Sequence, residues 1–137
     1  APNPGEGEKS WQTAVSGGEL SRVLLAIKSV MADLDKVPLL IFDEVDSGIS
    51  GETGNSIGEA LRNLGKHHQV LTITHLHQVA SRAQNQLAVS KKEVDGRTFT
   101  SITDLDKNGR IEEIARMLGG TSETVRTHAK QLLENNL

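Results

Sequence analysis

Two neighbouring carboxylates, Asp43 and Glu44, are the residues of this sequence best suited to chemistry. They directly follow the apolar run Leu39–Phe42, which is entered through Pro38. An unbroken apolar run is typical of a strand buried on both faces of a parallel sheet, and ligands bind outside the carboxyl ends of such strands. There, Asp43 could hold a divalent cation such as Mg²⁺ through water, and Glu44 could orient or deprotonate a water that attacks a phosphate. A solvated acidic turn explains the same residues equally well.

A second candidate site lies upstream, where Ser16 and Glu19 form the spacing of a helix capping box. Gly17 and Gly18 fall in the first turn of the predicted helix, although glycine costs about 1 kcal/mol relative to alanine inside a helix. A helix N-terminus with bare main-chain amides and a serine hydroxyl binds anions, so the glycines favour a ligand over a merely well-capped amphipathic helix. The residues expected on its apolar face are Leu20, Val23, Leu24, Ile27, Val30, Met31 and Leu34.

The composition limits the classes of function. The chain has 137 residues, 36% hydrophobic and 24% charged, which predicts a globular domain or one lobe of a larger one. A net charge of -3 and only three aromatic residues argue against a basic nucleic-acid clamp and against a base-stacking platform. The absence of cysteine excludes a disulfide framework and fits a cytosolic protein. There is no signal peptide or spanning apolar run, so no membrane partner is expected.

The remaining pattern predicts an α/β fold, a short parallel sheet flanked by helices with an added β-hairpin. After the apolar run Leu39–Phe42, the pattern predicts a helix that ends at Gly65, with Ile57, Ala60, Leu61 and Leu64 on one face, and then a strand Val70–Thr74 followed by His75. A short helix over 76–83 and a hairpin of 87–94 and 97–105 around Asp95-Gly96 are expected next. The last two elements are a helix with Ile111, Ile114, Ala115 and Leu118 on one face, closed by Gly119-Gly120, and a helix from about Thr121 with Val125, Ala129, Leu132 and Leu133 on one face. His67 and His68 fall in a polar turn and are expected to be exposed. Residues 1–10 are predicted to form a flexible arm and residues 11–137 a single lobe.

The segment from Gly5 to Ser10 resembles a phosphate-binding P-loop, but Glu8 occupies the position before the lysine where that loop needs glycine. No apolar strand precedes it, and the chain contains no other motif of this kind. We therefore interpret the segment as a linker and expect this chain to lack the main phosphate-binding loop.

Taken together, these motifs resemble those of ABC-type ATPases. Ser16 to Glu19 is similar to the signature motif, and Asp43-Glu44 follows at the spacing of Walker B. Residues 45–51 resemble the D-loop, with Ser50 where many members have aspartate, and His75 resembles the switch histidine. The resemblance implies ATP and Mg²⁺ as cofactors, Glu44 and His75 as catalytic residues, Asp43 as the metal ligand, and Ser16, Gly17, Gly18, Glu19, Ser47 and Gly48 as nucleotide-binding residues.

Within that superfamily, the chain resembles the RecN-like group of SMC-like ATPases that repair bacterial DNA double-strand breaks. The resemblance covers most of the chain beyond residue 10, and the string from Arg110 to Gly120 discriminates best. His77 stands where the group often has proline. In this group an N-terminal lobe carries Walker A and a C-terminal lobe carries the signature, Walker B and switch histidine. The resemblance implies that this chain is the C-terminal lobe of such an ATPase head.

The resemblance also implies the partners and the location. Hydrolysis is expected only when the N-terminal Walker A lobe of the same protein is present, and ATP is expected to join the head to a second head. DNA is expected to bind through the full-length protein, in the cytoplasm at the nucleoid. Two other interpretations stay open: the nucleotide-binding lobe of another ABC ATPase, either transporter-type or SMC-like, and a non-catalytic interaction module. Glu44 and His75 argue against the last, because a degenerate site would have no need of both.

Overall fold

A computed structural model describes residues 16–34 and 36–136. The predicted flexible arm, residues 1–10, lies outside these ranges. The chain divides into two compact units, one that ends at Thr74 and one that begins at His75.

The first unit contains a two-stranded parallel sheet and two helices. Its elements are α1 (Gly17–Val30), β1 (Leu39–Phe42), α2 (Gly51–Leu64) and β2 (Gln69–Thr72). The register aligns Leu39 with Gln69 and Phe42 with Thr72. The predicted parallel pairing is therefore confirmed, and α2 is the crossover that such a pairing requires.

Helix α1 begins where the capping box predicted it. The Glu19 main-chain N–H donates to Ser16 Oγ over 3.3 Å, and the Ser16 N–H donates to Glu19 Oε2 over 2.8 Å. The buried residues of this helix are Gly18 and Leu25. The helical period identified the apolar stripe correctly but could not say what covers it. The stripe residues are exposed: Leu20, Val23, Leu24, Ile27, Val30, Met31 and Leu34.

Strand β1 is buried on one face only, which corrects the prediction that both faces are covered. Leu40 and Phe42 point into the core, at 8% and 1% exposure, whereas Ile41 is 59% exposed. Successive side chains of a strand point to opposite faces, and only the face of Leu40 and Phe42 is covered, so Ile41 stays in contact with solvent. Among the described residues of the first unit, the buried apolar side chains are Leu25, Leu40, Phe42, Val45, Ile57, Leu61 and Leu64.

The turn between α2 and β2 also differs in part from expectation. Helix α2 ends at Gly65, as predicted. His68, however, is buried, and its Nδ1 lies 2.7 Å from the main-chain oxygen of Val37. Because a carbonyl oxygen only accepts, Nδ1 must be the protonated ring nitrogen and the donor. This hydrogen bond connects the turn to the residues before β1. His67 is exposed and lies 3.2 Å from Asp33.

The second unit joins a hairpin to three helices. Its elements are α3 (His77–Ala80), β3 (Leu87–Val94), β4 (Arg97–Asp104), α4 (Lys107–Met117) and α5 (Glu123–Asn135). Strands β3 and β4 pair antiparallel, with Val94 opposite Arg97. Asp95 and Gly96 both have positive φ, 51° and 71°, as a two-residue turn of type I′ requires. The predicted hairpin is confirmed.

The core of the second unit forms where α3, α4 and α5 meet. Ile114, Ala115 and Ala129 are fully buried, and Ala80 and Leu133 complete the cluster. Helix α4 ends at Met117 with Leu118 as its C-cap. The next residue, Gly119, has a φ of 97° that suits glycine, and the Gly120 N–H donates to the Ala115 oxygen over 3.1 Å. The predicted apolar faces of both helices are confirmed. Within residues 16–34 and 36–136, no helix combines the length and apolarity needed to cross a bilayer.

Candidate functional site

Asp43 and Glu44 lie at the carboxyl end of β1, as predicted, and both are exposed. Glu44 has a φ of 56°, in the left-handed region that residues other than glycine rarely adopt. The turn closes when the Ser47 N–H donates to the Glu44 main-chain oxygen over 2.9 Å. Strained residues of this kind concentrate at active sites, where the surrounding structure determines their conformation.

The first turn of α1 packs against this acidic turn in the same unit. A β-carbon at Gly18 would lie 2.9 Å from the Glu44 main-chain oxygen and 3.0 Å from Ser47 Cβ. At Gly17 it would lie 2.8 Å from Glu44 Oε2. The sequence suggested that both glycines leave amides open to a ligand. The structure adds a second reason for Gly18, namely close approach to protein main chain, and Gly18 is buried while Gly17 is exposed.

Two residues that the sequence interpretation left without a role join α1 to the same turn. Ser21 Oγ donates to the Asp43 main-chain oxygen over 2.8 Å. Arg22 Nη1 donates to the Ser47 oxygen over 3.0 Å and approaches the Val45 oxygen at 3.4 Å. Helical geometry could have predicted these contacts, because positions 21 and 22 lie one turn beyond positions 17 and 18 on the same face of the helix.

The residues that resemble a D-loop continue from the acidic turn. Asp46 is 2% exposed and its Oδ2 accepts a hydrogen bond from Thr74 Oγ1 over 2.5 Å. Ser47 and Gly48 are exposed, and Gly48 has a φ of 70°. Asp46 is therefore a structural anchor of this loop, and Ser47 and Gly48 stay on its surface.

Ser16 and Glu19 lie on the exposed start of α1. Hydrogen bonds from the main chain and side chain of Ser16 hold the pKa of Glu19 below its ordinary value. The carboxylate is therefore ionised at neutral pH and complements the positive end of the helix dipole. The Gly17 and Gly18 N–H groups belong to the first turn, which has no intrahelical acceptors.

His75, the predicted switch histidine, is exposed and is the first residue of the second unit. The residue after it, Leu76, is the N-cap of α3, and its main-chain oxygen accepts from the Ala80 N–H over 3.0 Å. Ala80 belongs to the core of the second unit. The segment that follows His75 is thus attached to the buried core of the second unit.

The donors present fit a magnesium nucleotide. Within the described ranges, no three His, Asp or Glu side chains converge into a closed metal centre. Mg²⁺ does not need one, because it keeps several waters and binds one or two carboxylates together with phosphate oxygens. The exposed Asp43 carboxylate offers a hard oxygen ligand of that type.

Known relatives of the chain carry the name of a DNA repair protein. No protein-family profile matches it. It is 49% identical over 129 residues to the DNA repair protein RecN of Xylella fastidiosa strain Temecula1. The aligned segment covers 94% of this chain and 23% of the relative. The RecN proteins of Bacillus subtilis and Deinococcus radiodurans are 46% and 47% identical, over 96% of this chain and 23% of each relative. The chain is thus related to a segment that makes up about a quarter of these RecN proteins.

A solved structure supports the fold. The chain matches one from a study of ATP-driven dimerization and DNA-stimulated activation of SMC ATPases, with a TM-score of 0.56 and 19% identity. The match covers 80% of this chain and 65% of that one. The α/β fold expected from the sequence is therefore confirmed, because the chain shares the fold of that solved chain.

Proposed function

We propose that this chain, a relative of one segment of the RecN proteins, is the C-terminal lobe of the ATP-binding head of a DNA double-strand-break repair protein. It supplies the signature motif, Walker B and switch histidine for ATP-driven head dimerisation and hydrolysis. Its partners are the N-terminal Walker A lobe of the same protein and a second head, and DNA binds through the full-length protein. The protein acts in the cytoplasm at the nucleoid.

One observation carries this proposal: the acidic end of β1 and the glycine-rich start of α1 form one contiguous structure. Gly17 and Gly18 lie against Glu44, which supports a functional surface built from the glycine-rich helix end and the pair of carboxylates. The left-handed φ of Glu44 adds support, because residues in such rarely populated conformations cluster at active sites. The names of the relatives and of the solved SMC chain point to the same kind of protein.

In the proposed mechanism, water attacks the γ-phosphorus of ATP and displaces ADP, which leaves free phosphate. Glu44 orients this water and accepts its proton. Asp43 would help to hold Mg²⁺, which would neutralise the charge that develops on the phosphate oxygens. His75 donates a hydrogen bond to the γ-phosphate held in cis. Ser16 and the amides of Gly17 and Gly18 bind the γ-phosphate held by the partner head, in trans, and so join the two heads.

Glu44→Gln in the full-length protein tests this function. The amide keeps the shape of the side chain but cannot accept a proton, so hydrolysis should fall by about 10²–10⁴-fold while ATP binding persists. Light scattering should then detect heads that ATP holds together. Normal turnover by this variant would show that Glu44 is only a structural acid.

The 137-residue chain alone should hydrolyse no ATP, because its sequence contains no Walker A motif. The measurement is phosphate release by the purified chain with Mg²⁺ and ATP. Magnesium-dependent turnover that disappears in Glu44→Gln would contradict the assignment to a half-site.

A further inference from the structure

We propose that Arg22 is a positioning residue that holds the turn of Glu44 against the signature helix, so that the helix and the catalytic carboxylate move as one body. The inference rests on the proposed function, since it concerns the same site. It adds a role for a residue that touches neither the nucleotide nor the attacking water.

The geometry around Arg22 supports this role. Its Nη1 donates to the Ser47 main-chain oxygen over 3.0 Å and lies 3.4 Å from that of Val45. These carbonyls belong to the turn that Glu44 begins, and the Ser47 N–H closes that turn on the Glu44 oxygen. Arg22 therefore binds the end of the turn that follows Glu44, and Glu44 itself, in its left-handed conformation, begins that turn.

Ser21 and Gly18 complete the attachment from the same helix. Ser21 Oγ binds the oxygen of Asp43, the residue before Glu44, over 2.8 Å. Gly18 brings the helix so close that a β-carbon would lie 2.9 Å from the Glu44 oxygen and 3.2 Å from Arg22 Nη1. The main-chain oxygens of Asp43, Val45 and Ser47 are thus approached by α1 on both sides of Glu44.

A charged guanidinium suits this task better than a neutral side chain. Hydrogen bonds with an ionised donor are stronger than neutral ones, and arginine stays protonated at any physiological pH. The planar group can also serve two carbonyls from one position. A lysine could reach one of the carbonyls but could not offer the same rigid pair.

The consequence is a link between the two sites of a head dimer. In the proposed mechanism the start of α1 serves the nucleotide of the partner head, whereas Glu44 serves the nucleotide of its own head. Because Arg22 and Ser21 join these parts, a shift of α1 on engaging the partner's phosphate reaches Glu44. Misplacement of a catalytic group by about 1 Å can cost about 10²-fold in rate.

The test uses the full-length protein with Arg22→Gln, which removes the charge and shortens the side chain. We expect kcat to fall by about 10- to 100-fold with KM for ATP little changed, because the nucleotide contacts remain. ATP-driven dimerisation, followed by light scattering, should persist. Arg22→Lys should recover part of the lost kcat, and Ser21→Ala should cause a smaller loss of the same kind.

Arg116→Gln is the matched control, since Arg116 is an exposed arginine on α4 that pairs with Glu113. A kcat for Arg22→Gln equal to that of Arg116→Gln would overturn the inference. So would a loss of kcat accompanied by equal losses of dimerisation and thermal stability, with no rescue by lysine, because that result describes a folding defect. If the unmutated protein hydrolyses no ATP, the proposed function itself fails, and the unmutated sample shows this by itself.

Discussion

Gly18 of helix α1 packs directly against the main-chain oxygen of Glu44, with room for no side-chain atom between them. A β-carbon there would be 2.9 Å from that oxygen and 3.0 Å from Ser47 Cβ. Neither is the far end of a flexible side chain, so neither can move aside without a shift of the main chain. The contact makes the start of α1 and the acidic turn one structural unit.

Gly18→Ala should therefore destabilise the chain, by about 1–3 kcal/mol, as overpacking at a buried contact does. Gly17→Ala is the matched variant, because its β-carbon would meet only the carboxylate end of Glu44 within 3.5 Å, and that side chain can rotate away. Alanine also gains about 1 kcal/mol in helix propensity. Urea unfolding of the two variants measures the difference, and equal stability would contradict the close packing at Gly18.

A core substitution tests the packing of the second unit. Ile114 is fully buried between α4 and its neighbours, so Ile114→Ala should cost about 2–5 kcal/mol of unfolding free energy. Ile102 is the control, because it is 67% exposed on β4. Ile102→Ala should change stability much less. Similar losses in both variants, measured by urea unfolding, would place the core elsewhere.

The pKa of His77 gives a prediction about pH. Burial, and after it the nearby His128, lower this pKa below its ordinary value of 6.5. Above 6.5 the imidazole is neutral in both states and has no effect. As the pH falls from 6.5 through the lowered pKa, the unfolded chain binds the proton more readily, so the free energy of unfolding decreases.

NMR titration of the imidazole resonances checks that pKa, and His128→Gln should raise it. His77→Gln should lose less stability than the unmutated chain when the pH is lowered below 6.5, because glutamine does not titrate. A titration midpoint for His77 above 6.5 would show that the sign is wrong.

Local signals predicted the parts of the fold that depend on neighbouring residues. The capping box of Ser16 and Glu19, the Asp95-Gly96 turn and the Gly119 helix end all follow from the preferences of a few adjacent residues, and all are present. The parallel pairing of β1 with β2 was also predictable, since an apolar strand, a helix and a second strand follow one another.

Burial was harder to predict because it depends on what packs against a face. The period of α1 marks an apolar stripe, but Val30 is 88% exposed and the buried leucine is Leu25. A polar turn suggested an exposed His68, yet its imidazole is buried on the main chain of Val37. Likewise, the contacts of Arg22 with Val45 and Ser47 join residues more than 20 positions apart, which no local pattern records.

At the candidate site, the sequence pattern correctly anticipated which residues end β1 and begin α1, and the structure brings those two segments together. The roles of Ser16, Asp43, Glu44 and His75 remain predictions. They require a nucleotide and a second head, and they depend on which head supplies each residue.

Mixing two inactive forms of the full-length protein tests that division most directly. A Ser16→Arg head should bind ATP with its own Walker A but fail to pair or hydrolyse, because the arginine blocks the partner's γ-phosphate. A Glu44→Gln head should pair but not hydrolyse. Each nucleotide site of a dimer combines Glu44 of one head with Ser16 of the other. In a mixed dimer one of these sites carries both substitutions and the other carries neither, so phosphate release should rise above that of either variant alone. If Ser16→Arg abolishes ATP binding by a single head and mixing restores no hydrolysis, the signature helix acts in cis and the account is wrong.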